Sequence, residues 1–165
     1  MSAGGVPAAG PNAMALVARL KQRGQTLAVA ESLTGGALAA AVVDVPGASA
    51  VFRGGVVAYT VEVKHTLLGV PEALLAARGP VDPAVAEALA DGVRTRCGAT
   101  WGLATTGVAG PDAHGGQPPG TVWLGLAGPG GVRSARLRLT GDRAAVRAGA
   151  VGAALDLLAE TLDEL

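Results

Sequence analysis

The sequence is short of the features that most often announce a metal, a membrane or a nucleic acid. It has one cysteine, Cys97, which excludes an intramolecular disulfide and a cysteine-based metal cluster. Its two histidines, His65 and His114, stand far apart and make no zinc motif, so no metal site is expected. Lysine plus arginine and aspartate plus glutamate number 13 each, and the formal charge is zero. Nucleic-acid binding normally needs a basic face, and neither a basic run nor interleaved aromatics occur here. The aromatic residues are only Phe52, Tyr59, Trp101 and Trp123. No apolar run approaches the length of a membrane span. Residues 1–11, rich in Ala, Gly and Pro, have no basic start and no apolar h-region, and read as a flexible tail rather than a signal peptide. The expectation is a soluble, cytoplasmic chain.

What is present is small and apolar. Half of the 165 residues are hydrophobic, mostly Ala, Val and Leu, enough for one domain over 12–165 with a core of small side chains. The 26 glycines exceed ordinary usage and predict loops that bring backbone close to something. Asn12 can cap a helix carrying Ala13, Leu16, Val17 and Leu20 and stopped by Gly24. A buried strand over Leu27–Ala30 leads to Ser32, and a helix runs from Ala37 to Asp44. A helical turn over Ala50–Arg53 precedes a second strand, Gly55–Thr60, then a helix from Val61 to Leu68. Pro71 suits the first position of a short helix, and Asp82-Pro83 is a cap followed by a first-turn proline, with the stop at Gly98. Strands follow over Trp101–Thr106, Thr121–Ala127 and Val132–Leu139; the last two flank the turn Pro129-Gly130-Gly131 and read as an antiparallel hairpin. Asp142 caps the final helix. Strands alternate with helices early and pair as a hairpin late. The pattern predicts a single three-layer α/β/α domain whose mixed sheet ends in an antiparallel hairpin, without repeats.

The chain is organised around Ala30-Glu31-Ser32-Leu33-Thr34-Gly35-Gly36, where a strand turns into a helix. Such a turn gathers free backbone N–H groups at the positive end of a helix dipole. A hydroxyl there can be a helix cap, an anion ligand, or a nucleophile beside an oxyanion hole made by the amides of Thr34, Gly35 and Gly36. No G-x-S-x-G elbow is present. A nucleophilic serine needs a base. Tyr59 ends a strand and Lys64 lies about one helical turn further on, so both can face one edge of the sheet. A lysine serves as base only when neutral, which needs a pKa of about 7–8 rather than roughly 10.4; burial moves it that way. Against this stands the ordinary reading of a solvated lysine and a core tyrosine. Thr105-Thr106-Gly107-Val108-Ala109-Gly110 is a second strand-to-glycine turn that can line the same pocket or be a plain loop. Arg143, in the first turn of the last helix, opposes the helix dipole, which suits an anionic ligand or a surface ion pair.

Taken together, Ala30–Gly36, Tyr59-Thr60 with Lys64, Leu68-Gly69-Val70, Thr106–Pro111, Gly120-Thr121-Val122-Trp123 and Gly141-Asp142-Arg143 resemble the C-terminal domain of the CinA (competence/damage-inducible) proteins, over roughly residues 12–163. The resemblance implies an amidohydrolase that converts nicotinamide mononucleotide and water to nicotinic acid mononucleotide and ammonia, in pyridine-nucleotide recycling, with no metal or other cofactor. It places the family's serine nucleophile on Ser32, its lysine base on Lys64, its tyrosine on Tyr59, its threonine on Thr106 and its late arginine on Arg143. Thr34, Gly35 and Gly36 would hold the oxyanion, and Gly107, Gly110 and Arg143 the phosphate or ribose. The partner expected is a small-molecule mononucleotide, and small apolar residues on the helices suit a homo-oligomer. Three positions depart from the family: Leu33 where cysteine is frequent, Val61 where asparagine is common, and the loop Asp112–Pro119. Val61 keeps open the alternative of a non-catalytic nucleotide-binding or regulatory module. A DNA-handling role, suggested by the family's name, is disfavoured by the zero net charge.

Overall fold

The computed structural model describes residues 10–165. Its elements run α1 (Pro11–Arg23), β1 (Leu27–Glu31), α2 (Ala37–Val43), a 3₁₀ turn at Ala48–Ala50, β2 (Phe52–Val57), α3 (Val61–Leu68), α4 (Glu72–Arg78), α5 (Pro83–Cys97), β3 (Trp101–Gly107), β4 (Thr121–Gly128), β5 (Gly131–Arg138) and α6 (Arg143–Asp163). The sheet order is β2-β1-β3-β4-β5. β1 is parallel to both β2 and β3, while β4 and β5 are antiparallel additions. The mixed three-layer sheet with its terminal hairpin is the architecture expected.

Local chemistry sets the helix limits. Asp82 accepts from the Ala84 and Val85 amides ahead of Pro83, and Asp142 accepts from the Ala145 amide. Gly24, Gly69 and Gly98 close their helices in the left-handed region, where glycine carries no steric cost. Other boundaries shift from expectation. α1 begins at Pro11 with Gly10 as its cap; Asn12 lies inside the helix, and its Nδ2 donates to Asp156 Oδ1 at 2.8 Å. Pro11 therefore belongs to α1 rather than to a tail, and residues 1–9 of that segment lie outside the described residues. The 3₁₀ turn comes two residues earlier than expected, and β2 accordingly starts at Phe52. β2 stops at Val57, so Tyr59 sits in the connection to α3 rather than on a strand. Pro71 is the cap of α4, not its first residue.

The period-two pattern of β1 splits the core into two. Leu27 and Val29 face α1, α2 and α6, with Leu16, Leu20, Leu38, Val42, Leu158 and Leu162. Ala28 and Ala30 face the other way, toward Leu68, Val85, Leu89 and Val93 of α3 and α5. The second layer is built on small side chains because α5 lies almost on the sheet. A methyl group at Gly102 or Gly125 would stand 2.0 Å from the carbonyl oxygen of Ala90 or Ala86 respectively. This contact needs glycine, and it fixes the helix that backs the site. Among the described residues no helix is long and apolar enough to cross a membrane.

Candidate active site

The chain leaves β1 for β2 on one side and returns through α3–α5 to β3 on the other. The carboxyl ends of these parallel strands therefore flank a topological switch point, where open α/β sheets bind ligands. A cavity of about 390 Å³ opens there. Its wall includes Ser32, Leu33, Tyr59, Lys64, Thr106 and Arg143, with Gly107, Gly110 and the loop Asp112–His114 closing one side.

Ser32 follows the last residue of β1. Its amide donates to Thr105 O at 3.0 Å, extending the strand pairing by one residue. It does not cap α2. That position belongs to Gly36, at φ +103°, and four residues of turn separate Ser32 from the helix. The first amides of α2 are taken by a neighbour of Ser32 instead. Glu31, 1 % exposed, accepts from Leu38 N at 2.7 Å through one carboxylate oxygen and from Ala39 N at 3.0 Å through the other. A buried carboxylate is tolerable when its oxygens are satisfied in this way.

Lys64 is the partner that makes Ser32 more than a turn residue. It lies on α3, is 1 % exposed, and its Nζ stands 2.9 Å from Ser32 Oγ. Two further neighbours are backbone carbonyls, Ala58 O at 2.7 Å and Tyr59 O at 3.1 Å. No carboxylate pairs with it among the described residues. Burial without a counter-ion disfavours the charged form, and the pKa falls from 10.5 to about 8. The three neighbours are not equivalent. A carbonyl can only accept, whereas a hydroxyl can also donate. A neutral amine has two N–H groups and one lone pair. When Lys64 is neutral, its two N–H groups match the two carbonyls, and its lone pair is left for the Ser32 proton.

The other expected residues fall into two groups. Tyr59, Thr106, Gly107, Gly110 and Arg143 all reach the cavity wall. Arg143 Nη1 donates to Gly110 O at 2.7 Å, and Nη2 to the Tyr59 hydroxyl at 3.4 Å. The Tyr59 ring, 60 % exposed, thus joins Arg143 at the rim, and only its backbone carbonyl touches Lys64. A proton relay through its hydroxyl does not fit this placement. Thr106 Oγ1 donates to Pro80 O at 2.7 Å, which ties the α4–α5 connection to β3. Thr34, Gly35 and Gly36 are absent from the cavity wall. Thr34 Oγ1 pairs with Thr105 Oγ1 at 2.8 Å, and the Gly35 amide donates to Ser32 O at 3.1 Å. The Gly35 amide is therefore not free for an oxyanion. Leu33, which does line the cavity, has an amide with no acceptor among the described residues. Val61 opens α3, is 45 % exposed and is not among the lining residues, so its departure from the family leaves the Ser32–Lys64 pair untouched.

Two residues escaped the reading of the sequence. Glu31 could have been found as a lone carboxylate ending a buried apolar strand. Arg147 stands one helical turn beyond Arg143, on the same side of α6; its Nε donates to Leu33 O at 2.9 Å and its Nη2 to Thr34 O at 3.0 Å.

Comparison with known proteins places these features in a family. The family model for the CinA C-terminal domain matches residues 11–162. A CinA-like protein of Frankia casuarinae is 58 % identical over 143 residues, covering 87 % of this chain and 33 % of that protein. A CinA-like protein of an Anaeromyxobacter species is 53 % identical over 144 residues, covering 87 % of this chain and 35 % of that protein. The chain thus spans about a third of the length of these curated relatives. A crystal structure of a CinA superfamily protein from Klebsiella pneumoniae superposes with a TM-score of 0.91 at 36 % identity, covering 93 % of this chain and 97 % of the other. Its counterpart from Escherichia coli gives 0.89 at 33 % identity, covering 91 % and 88 %. With the strand-end serine, the crossover lysine and the glycine-rich wall in the same fold, the chain belongs to the CinA C-terminal domain family.

Proposed function

We propose that this domain is a serine amidohydrolase acting on nicotinamide mononucleotide, releasing ammonia and nicotinic acid mononucleotide. One observation carries the reading: Lys64 Nζ, buried and without a carboxylate partner, is 2.9 Å from Ser32 Oγ with two carbonyls holding its other hydrogen-bonding positions. Neutral Lys64 takes the Ser32 proton as Oγ attacks the carboxamide carbon. The C=O electron pair moves onto oxygen, and the Leu33 amide, on a wall residue and without an acceptor among the described residues, is the donor for it. The Lys64 ammonium returns its proton to the departing nitrogen, the C–N bond breaks, and ammonia leaves. Water then attacks the acyl-serine, giving up a proton to Lys64; the ammonium passes that proton to Oγ as the C–Oγ bond breaks, which restores the Ser32 hydroxyl and the neutral amine. Every proton in this cycle passes through one amine.

The cavity of about 390 Å³ suits a mononucleotide-sized ligand. Arg143, tied to Gly110 O and pointing its second nitrogen toward Tyr59, supplies the rim with a cation for the phosphate, and Gly107 and Gly110 let the substrate approach backbone closely. Asp112 and His114 complete that side. The expected result is ammonia release, measured by a coupled assay, in one-to-one yield with nicotinic acid mononucleotide resolved by chromatography. Tight binding of the mononucleotide with no ammonia produced between pH 6 and 9 would favour the non-catalytic module instead.

A further inference from the structure

Arg147 is a cation with an unusual set of partners. It is half-buried on α6 and takes part in none of the ion pairs among the described residues. Its guanidinium is instead given to two consecutive neutral carbonyls, Leu33 O at 2.9 Å and Thr34 O at 3.0 Å. These belong to the first two residues after Ser32. Arg147 does not line the cavity, so a direct contact with substrate does not explain it.

Peptide planarity turns that contact into a statement about N–H groups. In a trans peptide the C=O and the following N–H point in opposite directions. The Thr34 carbonyl is drawn to Arg147, and the Gly35 amide on the same plane points away, into its bond with Ser32 O at 3.1 Å. That bond in turn fixes the Ser32 carbonyl inside the turn. The Leu33 amide, on the plane of the Ser32 carbonyl, must then point out of the turn. Among the described residues it finds no acceptor, and neither do the Thr34 and Gly36 amides, but of these three residues only Leu33 lines the cavity with Ser32. Gly35 sits at φ +57°, in the left-handed region, which the turn requires. From the opposite side Glu31 anchors α2, so the turn is held by two ionisable side chains that do not line the cavity.

We infer that Arg147 is a positioning residue for the deamidation: it holds the Leu33 and Thr34 carbonyls so that the Leu33 amide faces the oxyanion that forms when Ser32 attacks. This rests on the proposed function, so its test needs a readout that does not depend on the substrate. A fluorophosphonate serves: Ser32 Oγ forms a bond to phosphorus, fluoride leaves, the serine proton passes to Lys64, and the phosphoryl oxygen occupies the oxyanion position. Labelling of Ser32 is followed by mass spectrometry beside kcat and KM for nicotinamide mononucleotide.

In Arg147→Ala both the labelling rate and kcat fall by about 10²-fold, as for the loss of one oxyanion donor, while KM changes less than about threefold. Free guanidinium at millimolar concentration restores part of both rates, which a merely loosened fold would not show. If Arg147→Ala does not fold, Arg147→Lys keeps the charge and most of the stem but offers rotatable donors on a single nitrogen in place of a planar fork that reaches two carbonyls from two nitrogens, and both rates fall about tenfold. Wild-type labelling and turnover in either folded variant overturns the inference and leaves the proposed function standing. A wild-type protein that neither labels at Ser32 nor releases ammonia overturns both.

Discussion

Under the proposed function, Ser32→Ala stops ammonia release from nicotinamide mononucleotide, lowering kcat by about 10⁴-fold or more, on the scale of nucleophile loss in serine hydrolases. The fold survives the change, because the hydroxyl carries no structural duty. Ser32 is not the cap of α2, which is Gly36, and among the described residues its Oγ has a single partner, Lys64 Nζ. The backbone of Ser32 keeps its pairing with Thr105 O and its turn with Gly35 whatever the side chain. The lost hydrogen bond is worth about 1 kcal/mol, and a melting shift of about 2–4 °C is expected for a chain of this size. Mononucleotide binding stays near the wild-type level, since the rim residues are intact. A folded Ser32→Ala protein that still turns over would remove the nucleophile.

Lys64→Arg lowers kcat by about 10²–10⁴-fold, the usual worth of a positioned general base. The substitution separates two roles that the geometry alone allows for a lysine. If Lys64 only offered positive charge to a substrate anion, arginine would serve. If it works by its lone pair, arginine fails, because a guanidinium stays protonated at any pH the protein survives. The larger head group must fit where Lys64 is nearly inaccessible, so near-ultraviolet circular dichroism should accompany the kinetics. Lys64→Met is the companion variant. It keeps the stem and removes the amine, but leaves the Ala58 and Tyr59 carbonyls without their donor, at about 1–3 kcal/mol each if no water replaces it. Both variants lose the base, and only the first keeps the charge.

The sequence made the pair legible because each member has a local signature. Ser32 follows a short apolar strand ahead of two glycines, and Lys64 is the one lysine or arginine in the first helix after β2. Their meeting is a matter of topology: β2 pairs parallel to β1, so the start of α3 returns to the carboxyl end of β1. What could not be read was the direction of individual groups. Tyr59 was expected at a strand end, yet β2 stops at Val57, and the chain between Val57 and α3 turns the ring outward to Arg143. Thr106 was expected to line the pocket and does reach its wall, but that its hydroxyl is held by the Pro80 carbonyl is something no local pattern foretells. The oxyanion donors were expected among the amides of Thr34, Gly35 and Gly36, but these residues stand off the cavity wall and the Gly35 amide is spent on Ser32 O. Long-range side-chain-to-backbone bonds of this kind, such as Arg147 to a turn 114 residues away, leave no periodic trace in the sequence.

The central claim is that the Lys64 amine is neutral often enough to take the Ser32 proton. Its pKa can be measured directly by following the lysine side-chain resonances of isotopically labelled protein with pH, using Lys64→Met to assign the signal. Burial should bring the titration from 10.5 to about 8. At pH 7 roughly one molecule in ten then holds a neutral amine. Because the base must be neutral, kcat/KM should rise through the same midpoint and level off above it. A Lys64 signal that titrates near 10.5, with activity already flat at pH 7, would contradict a lysine base.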